Sequence, residues 1–589
     1  MSDFKLGNPD HRDNGEMISG TISDDFTGTS LGKKAGGDVE LDAEPPRPKS
    51  LKFKLTVLFL AIVTLIASMD AVIVGSCLVA IAEDLQSSSV ESFWVGTSFL
   101  LAQTITIPPY GTTSEIFGRK GPILIATAIF TLGSILCATA RNIGWLIGAR
   151  VVQGIGAGGM IQLVQVILSD ISTMSERGLY MAIAALAWSL GTNIGIPLGG
   201  VIGSRTTWRW IFYINIPTCM LCIAGLMYSL QLRQDTSSFV NKLGMLDWTG
   251  LGVFTCASTL FLVGLTSGGA LHPWDSAAVL VPLILGALVF TVFIFTQWRV
   301  SSNPMMPLRI FNDRSAIVGF ATSFLHGLFL GALQHGVLHA SLETMTCIAY
   351  AAPAGLVASV LVKRTQRFKY IIVVGWALLA VGMGSNVRFL FHQKNLANLL
   401  QSNVDGCGED QITMHPDSSK AVLYGPRVLI SIGGGLLFPT PLFAVQARQN
   451  GGDIGIATSV QVFMRSLGTT FGVGLGGVIF QNQWTKEVNR AVIAGRIPPE
   501  LRLESRVAEI AYQMIREFPS PVQHEYRWVY ARSLTTMWYV MMGLSIVGFV
   551  ISLIARNDEI KGGLSGTQNF QDGTKPADEE ARKGAETCG

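Results

Sequence analysis

Apolar residues in this chain gather in long runs that do not alternate with polar ones. Fourteen runs of about twenty residues can be marked, at 55–78, 93–113, 121–140, 144–168, 180–203, 210–231, 249–267, 277–298, 315–340, 344–362, 370–387, 421–445, 456–480 and 534–555. At 1.5 Å per residue, a helix of this size crosses a hydrocarbon core about 30 Å thick. Spanning strands are shorter and alternate between lipid and lumen, so they are excluded. Inside lipid the backbone must satisfy its own polar groups, and a single run does so only as a helix. The pattern predicts an all-α integral membrane protein with fourteen transmembrane helices.

Composition agrees. The 589 residues are 49% hydrophobic and 14% charged, against about 25% charged in soluble domains, and the mean hydropathy is +0.42. Residues 1–50 and 557–589 are the exceptions, rich in Gly and charge, and are expected to be disordered tails. The first fifty residues hold no apolar stretch, so no cleavable signal peptide is expected and the first helix directs insertion. The short loops after the even-numbered helices up to the twelfth carry thirteen Lys and Arg, from Arg119 to Arg448; those on the other side carry three, Arg141, Arg205 and Arg209. That asymmetry places both tails in the cytoplasm. Two outer loops, about 388–420 and 481–533, are long. The second contains "ESRVAEIAYQMIREF" (504–518), whose apolar spacing suits a short helix on the surface, a lid or packing element.

One interruption stands out. "PYGTTSEIFGRKGP" (109–122) breaks apolar sequence with Glu115, Arg119 and Lys120 set among Gly111, Gly118 and Gly121. The glycines permit a tight turn, and the charges permit ion pairs that hold one conformation and release another. A basic loop that merely fixes orientation satisfies the same spacing.

The motifs together resemble the major facilitator superfamily. "GTTSEIFGRKGP" resembles its signature loop between helices 2 and 3, with Glu115 where Asp is commoner. "LIGARVVQGIGAGG" (146–159) resembles the helix 4 signature, and "GTNIGIPLGG" (191–200) the helix 5 antiporter signature, here with Ile196 between Gly195 and Pro197. "ASMDAVIVGSCLVAIAEDL" (67–85) resembles the helix 1 signature of the fourteen-helix drug:proton antiporters. "WRWIFYINIP" (208–217) and "FMRSLGTTFGVGLGGVIFQN" (463–482) are typical of its fungal branch. The resemblance implies two six-helix halves, 51–231 and 315–556, joined by two linking transmembrane helices within 232–314. In the second half "KRTQRFK" (363–369) is a degenerate echo of the signature loop, and helices 9 and 10 share only residues 315–362.

Within this frame Asp70, deep in helix 1, is the first candidate for proton coupling, because an ionisable group in a membrane helix is costly unless it works or is paired. Arg150, with Gln153 one turn on, is its candidate partner; a structural tether fits equally. Arg465 is the other intramembrane arginine and is expected to snorkel or pair within the bundle. Glu115, Arg119 and Lys120, with Gly111 and Gly118, suit a cytoplasmic gate at the surface. Gly154 and Gly158 suit close helix approach, while Gly195, Pro197, Gly199 and Gly200 suit a bend in helix 5. Trp188, Phe324, Trp376 and Phe443 could line a cavity, with packing the commoner role.

Other chemistry finds little support. Cys219 and Cys222 lie inside an apolar run with no further ligand beside them, and cysteine there behaves as a small apolar residue. His335 and His339 are spaced to share a metal but lack a third placed ligand, so His326, His335, His339 and Glu343 are read as polar packing or outer-loop residues. No phosphate-binding Gly-Lys-Ser/Thr loop occurs, and no catalytic constellation lies in the bundle. The expectation is a proton-coupled efflux transporter, not an enzyme, without cofactor, metal or nucleic-acid partner. It would export amphipathic compounds such as drugs or a secondary metabolite by alternating access, as a monomer in the plasma membrane, a vacuolar or vesicle membrane being the other possibilities. Uptake of a cargo such as an iron chelate, or a sensor that kept the fold without transport, are the alternatives.

Overall fold

The computed structural model describes residues 49–232, 239–268, 272–301, 303–337, 350–401, 420–449, 451–503, 514–515 and 517–556, and these are almost wholly helical. The tails up to 48 and from 557, the loop centre 402–419, residues 504–513 of the expected surface helix, and His339, Glu343 and Cys347 lie outside the described residues.

Helix α1 (Leu51–Asp84) starts at Ser50, whose Oγ accepts from the Phe53 N–H at 3.3 Å. In α2 (Ser89–Phe117), Ser88 and Glu91 form a reciprocal capping box, which satisfies N–H groups that the first turn leaves unpaired. It ends at Gly118, whose φ of 83° strains any residue with a side chain. Next come α3 (Lys120–Ala138), α4 (Ile143–Ile171), opened by Asn142, and α5 (Met174–Arg205). The sixth span is made of α6 (Trp210–Tyr213) and α7 (Asn215–Ser229), almost continuous with each other. A short α8 (Phe239–Gly244) leads to α9 (Trp248–Ser267) and α10 (Ala277–Arg299). Then follow α11 (Arg314–Val337), α12 (Ala351–Thr365), α13 (Lys369–Gln401), α14 (Lys420–Leu437), α15 (Thr440–Gln446), α16 (Ile454–Ile493) and α17 (Ser520–Leu553).

Among the described residues, eleven spans are long and apolar enough to cross a membrane. Helices α2, α12 and α13 occupy the remaining predicted runs but fall outside that set. In α2 the cause is composition, since Thr, Ser, Gln103, Pro108 and Pro109 dilute its apolar residues; α12 is only 15 residues long.

The packing repeats itself. Helix α1 lies along α5, α2 along α4, α3 against α4, and α3 on α7; in the same pattern α11 lies along α16, α12 along α14, α13 against α14, and α13 on α17. The two sets meet where α2 packs on α16 and α5 on α12. Helices α9 and α10 pack on each other, and α9 leans on α2 and α16. Val281, Ile284, Leu288 and Val292 of α10 remain exposed, an apolar face that only lipid can cover at low cost.

Two helices outrun the apolar sequence. Helix α16 has 40 residues, a rod about 60 Å long at 1.5 Å per residue. It therefore continues well past the predicted run 456–480, and α17 begins before its own run. The first and last parts of the expected outer loop 481–533 are thus helical. They build a separate apolar cluster from Trp484, Val488, Ile497, Leu503, Tyr526 and Val529. Within it the Tyr526 hydroxyl donates to the Leu501 carbonyl at 2.8 Å and accepts from the Leu503 N–H at 2.9 Å.

Candidate functional site

Asp70 is 0% exposed and its carboxylate is fully engaged. Oδ2 accepts from Arg150 Nη1 at 2.6 Å; Oδ1 accepts from Gln153 Nε2 at 2.9 Å and Asn215 Nδ2 at 2.7 Å. Small residues make this convergence possible. Gly191, Gly195 and Gly199 of α5 press on α1 at Leu65, Met69 and Ile73, the turns flanking Asp70; a Cβ on Gly195 would stand 2.9 Å from the Met69 carbonyl oxygen. Gly133 of α3 likewise backs directly onto Gln153.

Arg150 is held on every side. Its Nε donates to the Val95 carbonyl at 3.2 Å, Nη1 also donates to Gln153 Oε1 at 2.6 Å, and the guanidinium lies 4.0 Å from the Phe99 ring centroid. Gln153 in turn donates to Ser134 Oγ at 2.9 Å. A buried ion pair recovers its desolvation cost only when further hydrogen bonds satisfy its remaining lone pairs and protons. Here Gln153 and Asn215 supply them to Asp70 Oδ1, and Gln153 and the Val95 carbonyl to Arg150 Nη1 and Nε. Adding a proton to Asp70 cancels the charge that holds Arg150 and turns one acceptor into a donor. The cluster can therefore exist in two hydrogen-bonding states. Asn215 completes it, although sequence reasoning passed it over; its signal was one amide inside the quoted run "WRWIFYINIP".

A second cluster sits at the end of the bundle that carries the basic loops. Arg119 Nε donates to Asp170 Oδ2 at 2.7 Å, while Nη1 and Nη2 fork onto Glu115 at 3.0 and 2.7 Å. Expected at the surface, Arg119 is only 1% exposed, because the first turn of α16 covers it. Gly455 lies so close that a Cβ there would overlap Glu115 Oε1. Gly111 similarly abuts Ser459, which also accepts from Gln162 Nε2. Arg177 of α5 reaches across to Gln446 of α15 at 2.7 Å, and Gln446 donates to Thr458 of α16 at 2.7 Å. Arg309 forks onto Asp453 at 2.7 and 2.8 Å. The Arg177–Gln446 bond and the contacts at Gly455 and Gly111 tie the α1–α7 set to the α11–α17 set at this end, and Arg309 ties the segment before α11 to the start of α16. Asp170, Gln446 and Asp453 were not singled out from sequence; each is one polar residue beside an apolar run. Lys120 stands apart, donating to the Met227 carbonyl at 2.8 Å.

Between the sets lies a small cavity of about 20 Å³, lined by Thr64, Ile161, Val164, Gln165, Met181, Trp188, Phe438 and Leu442 among others. It holds no more than a water-sized body. Trp188 lines it, whereas Phe324, Trp376 and Phe443 pack in the apolar cluster of the α11–α17 set. Arg465 of α16 neither snorkels nor pairs with a carboxylate among the described residues. Its Nη1 reaches the Phe438 carbonyl at 3.4 Å, and its guanidinium lies 4.4 Å from the Phe438 ring centroid.

The remaining glycines divide by environment. A Cβ on Gly154 or Gly158 would come within 2.5 Å of the Phe99 or Gln103 carbonyl oxygen, so α4 needs both to approach α2. Gly200 is exposed and a Cβ there would meet nothing within 4 Å. Pro197 sits within α5, which remains one helix.

At the opposite end, Asp84 accepts from Trp208 Nε1 and Arg209 Nη1, both at 2.9 Å. The indole first and the guanidinium second hold its carboxyl below the usual range.

Comparison with known proteins is consistent with this geometry. The sequence model of the family described as "Major Facilitator Superfamily" matches residues 60–391, more than half of the chain. The "MFS transporter L2" of a Phoma species is 29% identical over 564 residues, covering 93% of this chain and 89% of its own. The "Acurin A biosynthesis cluster MFS-type transporter" of Aspergillus aculeatus is 30% identical over 537 residues, covering 88% and 92%. The "MFS-type efflux pump LUC4" of a Fusarium species is 29% identical, covering 92% and 94%. Among solved structures, the proton:xylose symporter XylE superposes with a TM-score of 0.52 at 12% identity, covering 85% of this chain and 95% of that one. At that identity the likeness concerns the fold alone.

Proposed function

The chain belongs to the major facilitator superfamily, and from that premise we propose that it is a proton-coupled efflux transporter of amphipathic organic compounds. It is a multi-pass membrane transporter rather than an enzyme. Relatives that carry the names of efflux pumps, and one named for a biosynthesis cluster, support export of a secondary metabolite or a drug. The single observation that carries proton coupling is the buried Asp70 carboxylate held by Arg150, Gln153 and Asn215.

In this reading the two packing sets are the halves 51–231 and 315–556, and α9 with α10 is the linking pair. Fourteen spans then put both tails on the basic side, in the cytoplasm of a plasma-membrane protein that works as a monomer. Arg119, Glu115, Asp170, Arg177 and Gln446 form the seal that closes the cytoplasmic side. With Arg119 covered by the first turn of α16 and the cavity only about 20 Å³, the conformation counts in this reading as one with the seal made. Proton loading at Asp70 releases Arg150, loosening α1 from α4; cargo and proton then occupy the protein in alternation as the halves rock.

The test is proton flux in liposomes with an acidic interior, with wild type and Asp70→Asn in parallel. Collapse of the gradient by an amphipathic compound, with wild type only, is the expected result. Collapse by both proteins removes Asp70 from the coupling role. No collapse with either, for protein that transports the compound down its own gradient, removes proton coupling.

A further inference from the structure

We infer that Arg465 and His326 form an anion-binding site for the head group of the cargo, so that the preferred cargo is an amphipathic organic monoanion such as a carboxylate. This inference rests on the transport reading above and adds the chemical class of what is carried.

Two polar groups with few partners lie on adjoining helices here. Arg465 is 8% exposed and His326 1% exposed, both in the middle of long apolar helices, α16 and α11. A guanidinium in such surroundings needs a carboxylate or several acceptors to offset its desolvation. Arg150 has these in Asp70, Gln153 and the Val95 carbonyl; among the described residues Arg465 has one long contact to a carbonyl and one aromatic face. The C-terminal end of α14, just before Phe438, supplies roughly half a negative charge, which leaves the site net positive. His326 is the second group. Among the described residues, both its ring nitrogens are buried without a hydrogen-bond partner, a costly condition that a bound anion would relieve at the N–H.

The two belong to one place. A Cβ on Gly327, next to His326, would overlap the Arg465 carbonyl, so α11 and α16 touch at this level. A Cβ on Gly434, one turn before Phe438 in α14, would stand 3.9 Å from His326 Nε2. Phe438, which covers Arg465, is also a wall of the central cavity. A carboxylate entering past Phe438 would meet a forked guanidinium and an imidazole N–H. Once the two sets move apart and widen the cavity, its apolar body would lie against Ile161, Val164, Met181 and Trp188. A neutral amide of the same shape meets the same apolar wall without the charge.

The experiment is equilibrium binding to protein in lipid nanodiscs, with empty nanodiscs subtracted, using biphenyl-4-acetate and its neutral amide, biphenyl-4-acetamide. Wild type is expected to bind the acid at least about tenfold more tightly. Arg465→Gln is expected to bring acid and amide to equal affinity while leaving the amide unchanged. Equal binding of both probes by wild type, or an acid preference that survives Arg465→Gln, overturns the inference. If Arg465→Gln loses the amide as well and so fails to fold, His326→Leu decides. A several-fold loss for the acid alone supports the site, and an unchanged preference overturns it. No proton gradient enters this measurement. A protein that prefers the acid yet moves no protons keeps this site and loses the coupling reading; the reverse outcome loses this site alone.

Discussion

Glu115 on α2 and Gly455 on α16 touch at the basic end of the bundle, so closely that the glycine has no room for a methyl group. One carboxylate therefore serves two purposes: it forks onto Arg119 within its own set and forms the surface on which the other set closes.

Gly455→Ala is expected to hold that end open. Overpacking of a fitted contact costs about 1–3 kcal/mol, enough to shift a balanced equilibrium by about 5- to 150-fold. Hydrogen exchange over residues 109–119 should rise in the variant, and exchange around Tyr526 should not. An unchanged pattern over 109–119 would show that the contact does not hold the closure.

Arg119→Gln should be more damaging than Arg119→Lys. The first strips Glu115 and Asp170 of the buried guanidinium they share, a loss on the order of 3–5 kcal/mol. The second keeps the charge but cannot fork onto both carboxylates. Thermal stability and transport rate in liposomes should both rank wild type, Lys, Gln. Equal values for Lys and Gln would mean that geometry, not charge, is what matters at this position.

Asp70 and Arg150 should be strongly coupled. Asp70→Asn alone leaves the guanidinium buried and uncompensated, again a loss of about 3–5 kcal/mol. Arg150→Gln added to it removes the stranded charge, so the double variant should unfold at a higher temperature than Asp70→Asn. Additive losses across this cycle would show that the two residues do not share an interaction.

Asp84 gives a pH dependence of definite sign. Its carboxyl is held below the usual range, so its contribution to the folded state is present above the unfolded value near 3.9 and is lost as pH falls through the lower, folded one. A 5-fluorotryptophan resonance assigned to Trp208 by substitution should stay fixed while pH falls to about 4 and move only below that. Asp84→Asn should abolish the movement. A midpoint above 4 would contradict the arrangement.

The spans were legible because crossing a bilayer imposes a local requirement, about twenty apolar residues, that a run of sequence satisfies or does not. Asp70 and Arg150 were legible for the same reason, as charges where charge is expensive. What joined them was not. Asn215 belongs to the network only because α7 delivers it to α1, and nothing near it in sequence says so. Burial of Arg119 was also out of reach, since its cover comes from Gly455 on a remote helix. The extension of α16 to Ile493 escaped because "NQWTKEVNRAVI" (482–493) is amphipathic, and a rule that counts apolar residues stops at the membrane edge.

Helix α16 is one uninterrupted rod. Its first turn closes on Glu115, its first third carries Arg465, and its last turns hold the Trp484–Tyr526 cluster at the other end. A rod about 60 Å long that tilts by about 10° displaces one end by about 10 Å relative to the other. The cluster at the far end of α16 is thus a pointer whose position follows the turn packed on Glu115. An antibody fragment that grips the pointer could hold the rod still from that end, without approaching Asp70, Arg465 or the Glu115–Gly455 contact.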